Sequence, residues 1–223
     1  MEAKLIESRE IAPDVRHFLF ETSEPFTFVP GQFLSIQQAF DDKKITRAYS
    51  IASEPLNTNR FELCLDLVKE GRISPRLFAM QPGDAIEIKP PMGMFVLKTP
   101  PRDSLLIATG TGIAPFRSML RAHAHDPARQ FTLLFGARHE HDLLYRAEFE
   151  QMERLRFLPT LSRPGESWSG RRGYVQEHLN EAIGERRDMD VFLCGMKEMV
   201  DQVRSMLKEK GFDRKQVLFE KYD

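Results

Sequence analysis

The chain is poor in cysteine, with only Cys64 and Cys194 among 223 residues. Two thiolates cannot supply the four ligands of a typical iron–sulfur cluster, and a disulfide framework is not expected. Any one-electron carrier is therefore expected on another polypeptide. The chain also lacks an excess of charge of either sign. Its 32 Lys+Arg and 33 Asp+Glu leave a formal net charge of -1, which gives no electrostatic case for nucleic acid or an anionic membrane. No apolar run approaches the roughly 18 residues of a membrane span. The start, Met1-Glu2-Ala3-Lys4, has no signal-peptide core. These absences lead to the expectation of a cytoplasmic protein with no membrane span and no nucleic-acid partner. No internal repeat or low-complexity segment stands out.

The patterning that is present changes character along the chain. In the first third, short strand-like runs recur at Val15–Phe20, Phe33–Ile36, Thr46–Ala52, Phe61–Val68 and Ala85–Ile88, with Pro-Gly punctuation at Pro30-Gly31 and Pro82-Gly83. That spacing predicts a small antiparallel barrel or sandwich. Beyond Lys98–Asp103, apolar strands alternate with helices. The strands are predicted at Ser104–Ala108, Phe131–Phe135, Phe157–Leu161, Asp190–Cys194 and Val217–Glu220; the helices at Ala114–His123, Leu143–Arg156, Val175–Ile183 and Lys197–Lys210. This order predicts a parallel sheet wrapped by helices. The expected architecture is two-domain: an N-terminal antiparallel β-barrel over residues 1–100 and a C-terminal α/β domain with a parallel sheet over 101–223.

Two motifs carry most of the chemistry. Arg47-Ala48-Tyr49-Ser50 lies on a strand, so Arg47 and Tyr49 share a face. A guanidinium binds phosphate with paired hydrogen bonds, a tyrosine ring stacks on a flat heterocycle, and a serine hydroxyl bonds a ring nitrogen in either protonation state. An edge strand with surface Arg and Tyr would look the same. Gly110-Thr111-Gly112-Ile113-Ala114-Pro115 follows a buried strand and opens a helix. Glycines there let backbone approach a pyrophosphate at a helix start. It lacks the third glycine of the usual dinucleotide fingerprint and the Gly-Lys-Ser/Thr of a P-loop.

Three further segments are weaker. Gly71-Arg72-Ile73-Ser74 follows Leu67-Val68-Lys69, and Ser74 is expected to cap a helix from Pro75. Cys194-Gly195-Met196 ends a buried strand at the sheet edge where ligands bind; nothing there indicates a lowered thiol pKa, and no nucleophile is expected. His139-Glu140-His141-Asp142 lacks the spacing that sets two imidazoles on one helix face. It is taken as a polar loop, and no metal site is expected.

Together these residues resemble the ferredoxin–NADP(+) reductase superfamily, from Pro30-Gly31-Gln32-Phe33 to the C-terminus. Arg47-Ala48-Tyr49-Ser50 is similar to its R-x-Y-S flavin motif. The resemblance implies that Arg47 holds the diphosphate, Tyr49 packs on the flavin and Ser50 sits near flavin N5. Gly71–Ser74, with Leu67 and Val68 ahead of it, resembles the second flavin-phosphate segment. Gly110, Thr111, Gly112 and Pro115 match the nicotinamide-nucleotide segment. Cys194-Gly195-Met196-Lys197 resembles the segment whose cysteine lies beside the nicotinamide. Phe219-Glu220-Lys221-Tyr222 resembles the plant-type C-terminus, with Asp223 following here. There a glutamate serves the proton and hydride network and an aromatic ring covers the flavin. Ser162, Arg163, Arg171, Arg172, Tyr174 and Gln176 resemble the 2′-phosphate and adenine contacts of NADP-binding members, and Trp168-Ser169-Gly170 is similar to NADH-using oxygenase reductases.

The resemblance implies an oxidoreductase that takes a hydride from NADP(H), with NAD(H) the alternative, onto bound FAD. FMN is a second possibility because Glu54–Arg60 holds no aromatic residue. Ser50, Cys194, Glu220 and Tyr222 would serve the reaction. Electrons would pass to a separate carrier such as ferredoxin or flavodoxin. A free-flavin reductase, or an electron-transfer subunit of a larger oxygenase or dehydrogenase complex, is the alternative.

Overall fold

The computed structural model describes residues 1–25, 27–40, 43–56 and 58–222; Asp223 lies outside the described residues. The chain forms two compact units. One holds Met1–Val96 with Ala114–Ala122, the other Leu97–Ile113 and the chain from His123 onward. Among the described residues, no helix is long and apolar enough to cross a membrane.

The first unit is built on β1 (Glu2–Ala12), β2 (Val15–Thr22), β3 (Phe33–Phe40), β4 (Lys43–Ser50), β5 (Arg60–Asp66), the short helix α1 (Ser74–Ala79) and β6 (Ala85–Met92). The strands form one antiparallel sheet in the order β4-β3-β6-β1-β2-β5. An antiparallel bridge from Ile51 to Leu63 and the bond from Ala52 N–H to the Glu62 carbonyl (2.8 Å) join its two end strands, so the sheet closes into a barrel and its edges are satisfied. The closed sheet buries Leu5, Phe18, Phe20, Leu34, Ile36, Phe61, Leu63, Ile86 and Ile88. Phe20 stacks on Phe61 at 5.5 Å between centroids.

The strand β1 was not foreseen. Glu2, Lys4, Glu7, Arg9 and Glu10 make it look like surface, and register shifts after Leu5 and Glu10 break its alternation. Ala3 and Leu5 nonetheless sit in the core.

The second unit contains β7 (Ser104–Thr109), β8 (Phe131–Ala137), α3 (Arg146–Glu150), β9 (Leu155–Leu161), β10 (Arg171–Arg172), α4 (Leu179–Ile183), β11 (Asp190–Met196), α5 (Lys197–Glu209) and β12 (Val217–Tyr222), with α2 (Ala114–His123) between β7 and β8 in sequence. The six strands are all parallel, in the order β10-β9-β8-β7-β11-β12. Leu105, Ile107, Leu134, Leu158, Val191 and Leu193 pack against Leu179 and Ile183 of α4 and Val200, Val203 and Leu207 of α5. Apolar runs without alternation suit strands covered on both faces.

The helix predicted over Leu143–Arg156 shrinks to α3. Tyr145 adopts a left-handed conformation (φ 58°) just before it, which ends any helical run from Leu143. Leu155 already belongs to β9.

Residues 114–122 of α2 pack with the barrel. Arg117 is 4% exposed and donates to the Ala52 carbonyl (3.0 Å) and the Glu62 carboxylate (2.5 Å), while Arg121 holds Glu54 at 2.8 Å. His17, also buried, lies 3.8 Å from Glu62. Burial, opposed by Glu62 and aided by Arg117, pushes the His17 imidazole down to about 4, so it is neutral at pH 7. Burial alone would push the Glu62 carboxyl up; the charge and hydrogen bond of Arg117 outweigh it and hold Glu62 below the usual carboxylate range.

Both groups bind protons less readily when folded than when unfolded. Their contribution is therefore complete above the unfolded value and lost as pH falls through the folded one. For His17 the window runs from 6.5 down to about 4. Chemical denaturation across that window is expected to show falling stability, and His17→Asn is expected to flatten the dependence. Arg117→Met, which strands a partly buried carboxylate, is expected to cost about 3 kcal/mol at pH 7.

Candidate functional site

The flavin half lies at the end of β4. Its register with β3 sets Tyr49 opposite Leu34 and Arg47 opposite Ile36. Residues directly across a ladder share a face, so both project on the face that Leu34 and Ile36 bury. Tyr49 packs on the barrel core, half-buried. Burial pushes its phenol up to about 12, so it stays protonated and keeps a donor. Arg47 is exposed; its guanidinium donates to the Thr46 carbonyl (3.0 Å), and no carboxylate among the described residues pairs with it. Ala48 is exposed and Ser50 is buried.

The second flavin-side segment follows β5. Leu67 N–H bonds the Asp14 carbonyl (2.7 Å) and Gly71 N–H the Val68 carbonyl (2.8 Å), which shapes a tight loop. Ser74 does not cap α1. Its hydroxyl accepts from Val68 N–H (3.0 Å) and donates to the Val68 carbonyl (3.3 Å), and the N-cap position falls to Ile73 with no side-chain bond. The hydroxyl is committed to closing the loop, which leaves exposed Arg72, 5.8 Å over the Phe40 ring, as the segment's cation. Two guanidiniums without carboxylate partners among the described residues, a neutral phenol on an apolar bed and a buried hydroxyl fit a diphosphate joined to a flat, hydrogen-bonding heterocycle.

The nucleotide half occupies the carboxyl edge of the parallel sheet. After β7, Gly110 takes φ +55° and a 3-10 turn over Gly110–Ile113 leads into α2, whose second residue is Pro115. A methyl on Gly112 would overlap the Cys194 carbonyl and come within 2.8 Å of Gly195 Cα. Gly195 takes φ +142°, and a methyl there would collide with Thr109. Met196 N–H donates to Thr109 Oγ1 (3.3 Å). The turn after β7 thus presses on the end of β11 with no room for a side chain at Gly112 or Gly195, which leaves backbone amides at the edge. That suits a bulky anion such as a pyrophosphate.

Register aligns Cys194 with Glu220 and Met196 with Tyr222 on β12. Cys194 is fully buried. Burial and the Glu220 charge push its thiol far up, only partly opposed by a side-chain hydrogen bond with Tyr222. The group remains a neutral thiol. The pairing of β11 with β12 therefore brings Cys194, Glu220 and Tyr222 together.

Cations gather where β8, β9 and β10 end. Ser162 N–H and Oγ both reach the Ala137 carbonyl (3.0 and 3.5 Å). Arg163 is exposed and has no carboxylate partner among the described residues. Arg172 is exposed and donates to the Trp168 carbonyl (2.8 Å). Arg171 forms a two-point ion pair with Glu181 (2.8 and 2.5 Å), so its charge is neutralised in place. Tyr174 is 64% exposed, its ring open to an adenine. Gln176 turns to α5, donating to Gln202 Oε1 at 2.6 Å. The sequence reading missed Arg138. It follows β8 directly, is exposed and lacks a carboxylate partner among the described residues. Its carbonyl accepts from Arg163 N–H (2.8 Å). Its place just beyond the carboxyl end of a parallel strand, where ligand-binding side chains collect, is the signal in the sequence that points to it.

Comparison with known proteins agrees with this division. The family model described as oxidoreductase FAD-binding domain matches residues 2–97, and that described as oxidoreductase NAD-binding domain matches 106–205. Ferredoxin–NADP reductase B of Sorangium cellulosum is 41% identical, over all of this chain and 97% of its own length. The anthranilate 1,2-dioxygenase electron transfer component of Acinetobacter baylyi is 29% identical over 87% of this chain. This chain spans only 58% of that relative's length. Among solved structures, the ferredoxin reductase in carbazole 1,9a-dioxygenase superposes with a TM-score of 0.89 at 27% identity, covering all of this chain and 69% of that one. With a flavin-type half-site on its barrel, a nucleotide edge on its parallel sheet and a near full-length relative at 41% identity, the chain belongs to the ferredoxin–NADP(+) reductase superfamily of FAD- and NAD(P)-binding oxidoreductases.

Proposed function

We propose that the protein is a cytoplasmic ferredoxin– or flavodoxin–NADP(+) reductase that prefers NADPH to NADH and serves a separate one-electron carrier. The observation that carries this reading is the set of exposed arginines, Arg138, Arg163 and Arg172, that end β8, β9 and β10 or adjoin those ends without a carboxylate partner among the described residues. A 2′-phosphate dianion is what distinguishes the two nucleotides, and guanidiniums not already neutralised suit it. The near full-length match to a relative named ferredoxin–NADP reductase B supports the choice of carrier. Longer relatives, one named as a dioxygenase electron transfer component and one as a monooxygenase reductase subunit, favour one second reading, a reductase serving an oxygenase component.

When bound, FAD would supply the redox chemistry, two-electron toward the nicotinamide and one-electron toward the carrier. The residues of this chain bind and orient. Arg47 and Arg72 hold the flavin diphosphate. The Tyr49 ring, fixed on the barrel core, would pack on the flavin, and the Ser50 hydroxyl would bond its N5. The backbone amides of Gly110–Gly112 and the Gly195-Met196 turn receive the dinucleotide phosphates, with Pro115 fixing the helix start. Neutral Cys194 lines the nicotinamide position. The Glu220 carboxylate takes up or releases the proton that accompanies reduction. Tyr222, tied to the Cys194 thiol, closes this pocket and must break that bond to leave it.

Arg163→Ala combined with Arg172→Ala is expected to raise the KM for NADPH by about tenfold or more, with little change for NADH, since charge-assisted bonds to a phosphate are lost. Steady-state kinetics with both nucleotides check this, and equal losses would remove the 2′-phosphate assignment. Ser50→Val is expected to slow anaerobic flavin reduction by roughly tenfold or more in rapid mixing while FAD content stays normal. An unchanged rate would take Ser50 out of the mechanism.

A further inference from the structure

The His139-Glu140-His141-Asp142 segment takes no part in the chemistry above, yet it is built with care. Asp142 N–H returns to the His139 carbonyl (3.1 Å) and the Asp142 carboxylate accepts from His139 N–H (3.0 Å), closing a 3-10 turn over Glu140–Asp142. The His139 backbone thus closes the turn, which leaves its ring for other contacts. The ring stacks on His141 (5.4 Å between centroids, 21° apart), and His141 in turn lies 3.3 Å from Asp142.

The His139 Nδ1 lies 2.8 Å from the Arg163 carbonyl. A carbonyl oxygen only accepts, so Nδ1 carries the proton and donates. Arg163 is therefore held at both backbone groups by consecutive residues: its N–H by the Arg138 carbonyl and its carbonyl by the His139 ring. A long side chain on a mobile loop loses rotamer and backbone freedom when it binds. Fixing the Arg163 backbone in advance removes part of that cost and aims the guanidinium.

The same turn reaches the second arginine. Glu140 and Glu150 grip Arg146 (2.5 and 2.6 Å), whose guanidinium lies 5.3 Å over the Trp168 ring. Trp168 is buried, its indole N–H donates to the Arg171 carbonyl (2.8 Å), and its own carbonyl receives Arg172.

We infer that the His139–Asp142 turn is a specificity element. His139 is a positioning residue that presents Arg163 to the 2′-phosphate of NADP(H) through the hydrogen bond from its Nδ1 to the Arg163 carbonyl. This rests on Arg163 contacting the 2′-phosphate.

The test is calorimetric binding of NADP(+) and NAD(+) to the oxidised, FAD-loaded protein, which reads recognition without turnover. His139→Ala is expected to weaken NADP(+) binding roughly three- to tenfold, the loss of one hydrogen bond, with NAD(+) binding unchanged. His139→Asn, whose side-chain amide can place a donor near the Nδ1 position, is expected to restore most of the loss. Arg163→Ala is the control for the underlying assignment. If it leaves NADP(+) binding intact, the 2′-phosphate site itself is wrong and the inference falls with it. If Arg163→Ala weakens NADP(+) but His139→Ala does not, the site stands and the positioning role is overturned. Equal weakening of both nucleotides by His139→Ala, or failure of His139→Asn to recover NADP(+) binding, also overturns it.

Discussion

The nucleotide edge depends on one close approach, that of Gly112 to the Cys194–Gly195 backbone. Neither position tolerates a side chain: Gly112 for lack of space, Gly195 for lack of space and because of its positive φ. The contact seats the Gly110–Ile113 turn against the carboxyl end of β11, which already pairs with β7. The turn that opens α2 and the residues of β11 and β12 beside it take their places from that line. The Gly110–Ile113 turn opens α2, Cys194 is sealed into the core just before the contact, and β12 follows β11 in register to bring Glu220 and Tyr222 to the thiol. A parallel sheet collects its loops at one edge by topology alone, so distant pieces of chain reach a common surface without long connections.

The arginines at and beside the two half-sites divide into two kinds, one serving the scaffold and one left for a ligand. Arg117 is buried against Glu62, and Arg171 is matched two-for-two with Glu181. These hold α2 on the barrel and the Trp168 loop against α4. Arg47, Arg72, Arg138, Arg163 and Arg172 are exposed, and none has a carboxylate partner among the described residues. An ion pair already made has little left to offer a phosphate, whereas a guanidinium bonded only to a carbonyl or resting over a ring keeps its charge for a ligand. With a net charge near zero, recognition of phosphate here turns on cations that both lack a carboxylate partner among the described residues and stand at the two binding edges; Arg187, exposed and bonded only to carbonyls, lies elsewhere.

Much of this was legible in the sequence because the relevant signals are local. Unbroken apolar runs such as Ser104–Ala108 and Asp190–Cys194 mark strands covered on both faces, and the glycines that follow them mark the binding edge. The Arg-Ala-Tyr-Ser spacing places Arg47 and Tyr49 on one face of β4 by simple alternation. What was not legible depends on tertiary partners. Charge hides β1, whose burial rests on pairing with β2 and β6. Ser74 has the composition of a helix cap, but Val68 captures its hydroxyl. Arg171 and Arg172 are indistinguishable as adjacent letters; only the position of Glu181 across the fold neutralises one and spares the other. The His139 turn looked like a solvated loop because its partner, the Arg163 carbonyl, is 24 residues away.

The central claim is that this chain holds FAD and reduces it with NADPH. An anaerobic absorbance titration of the purified protein with NADPH and NADH in parallel tests it most directly. The expected result is a yellow protein whose flavin bands bleach at low NADPH and only at much higher NADH. A protein that stays colourless even after FAD is added, or a yellow one that neither nucleotide bleaches, would contradict it.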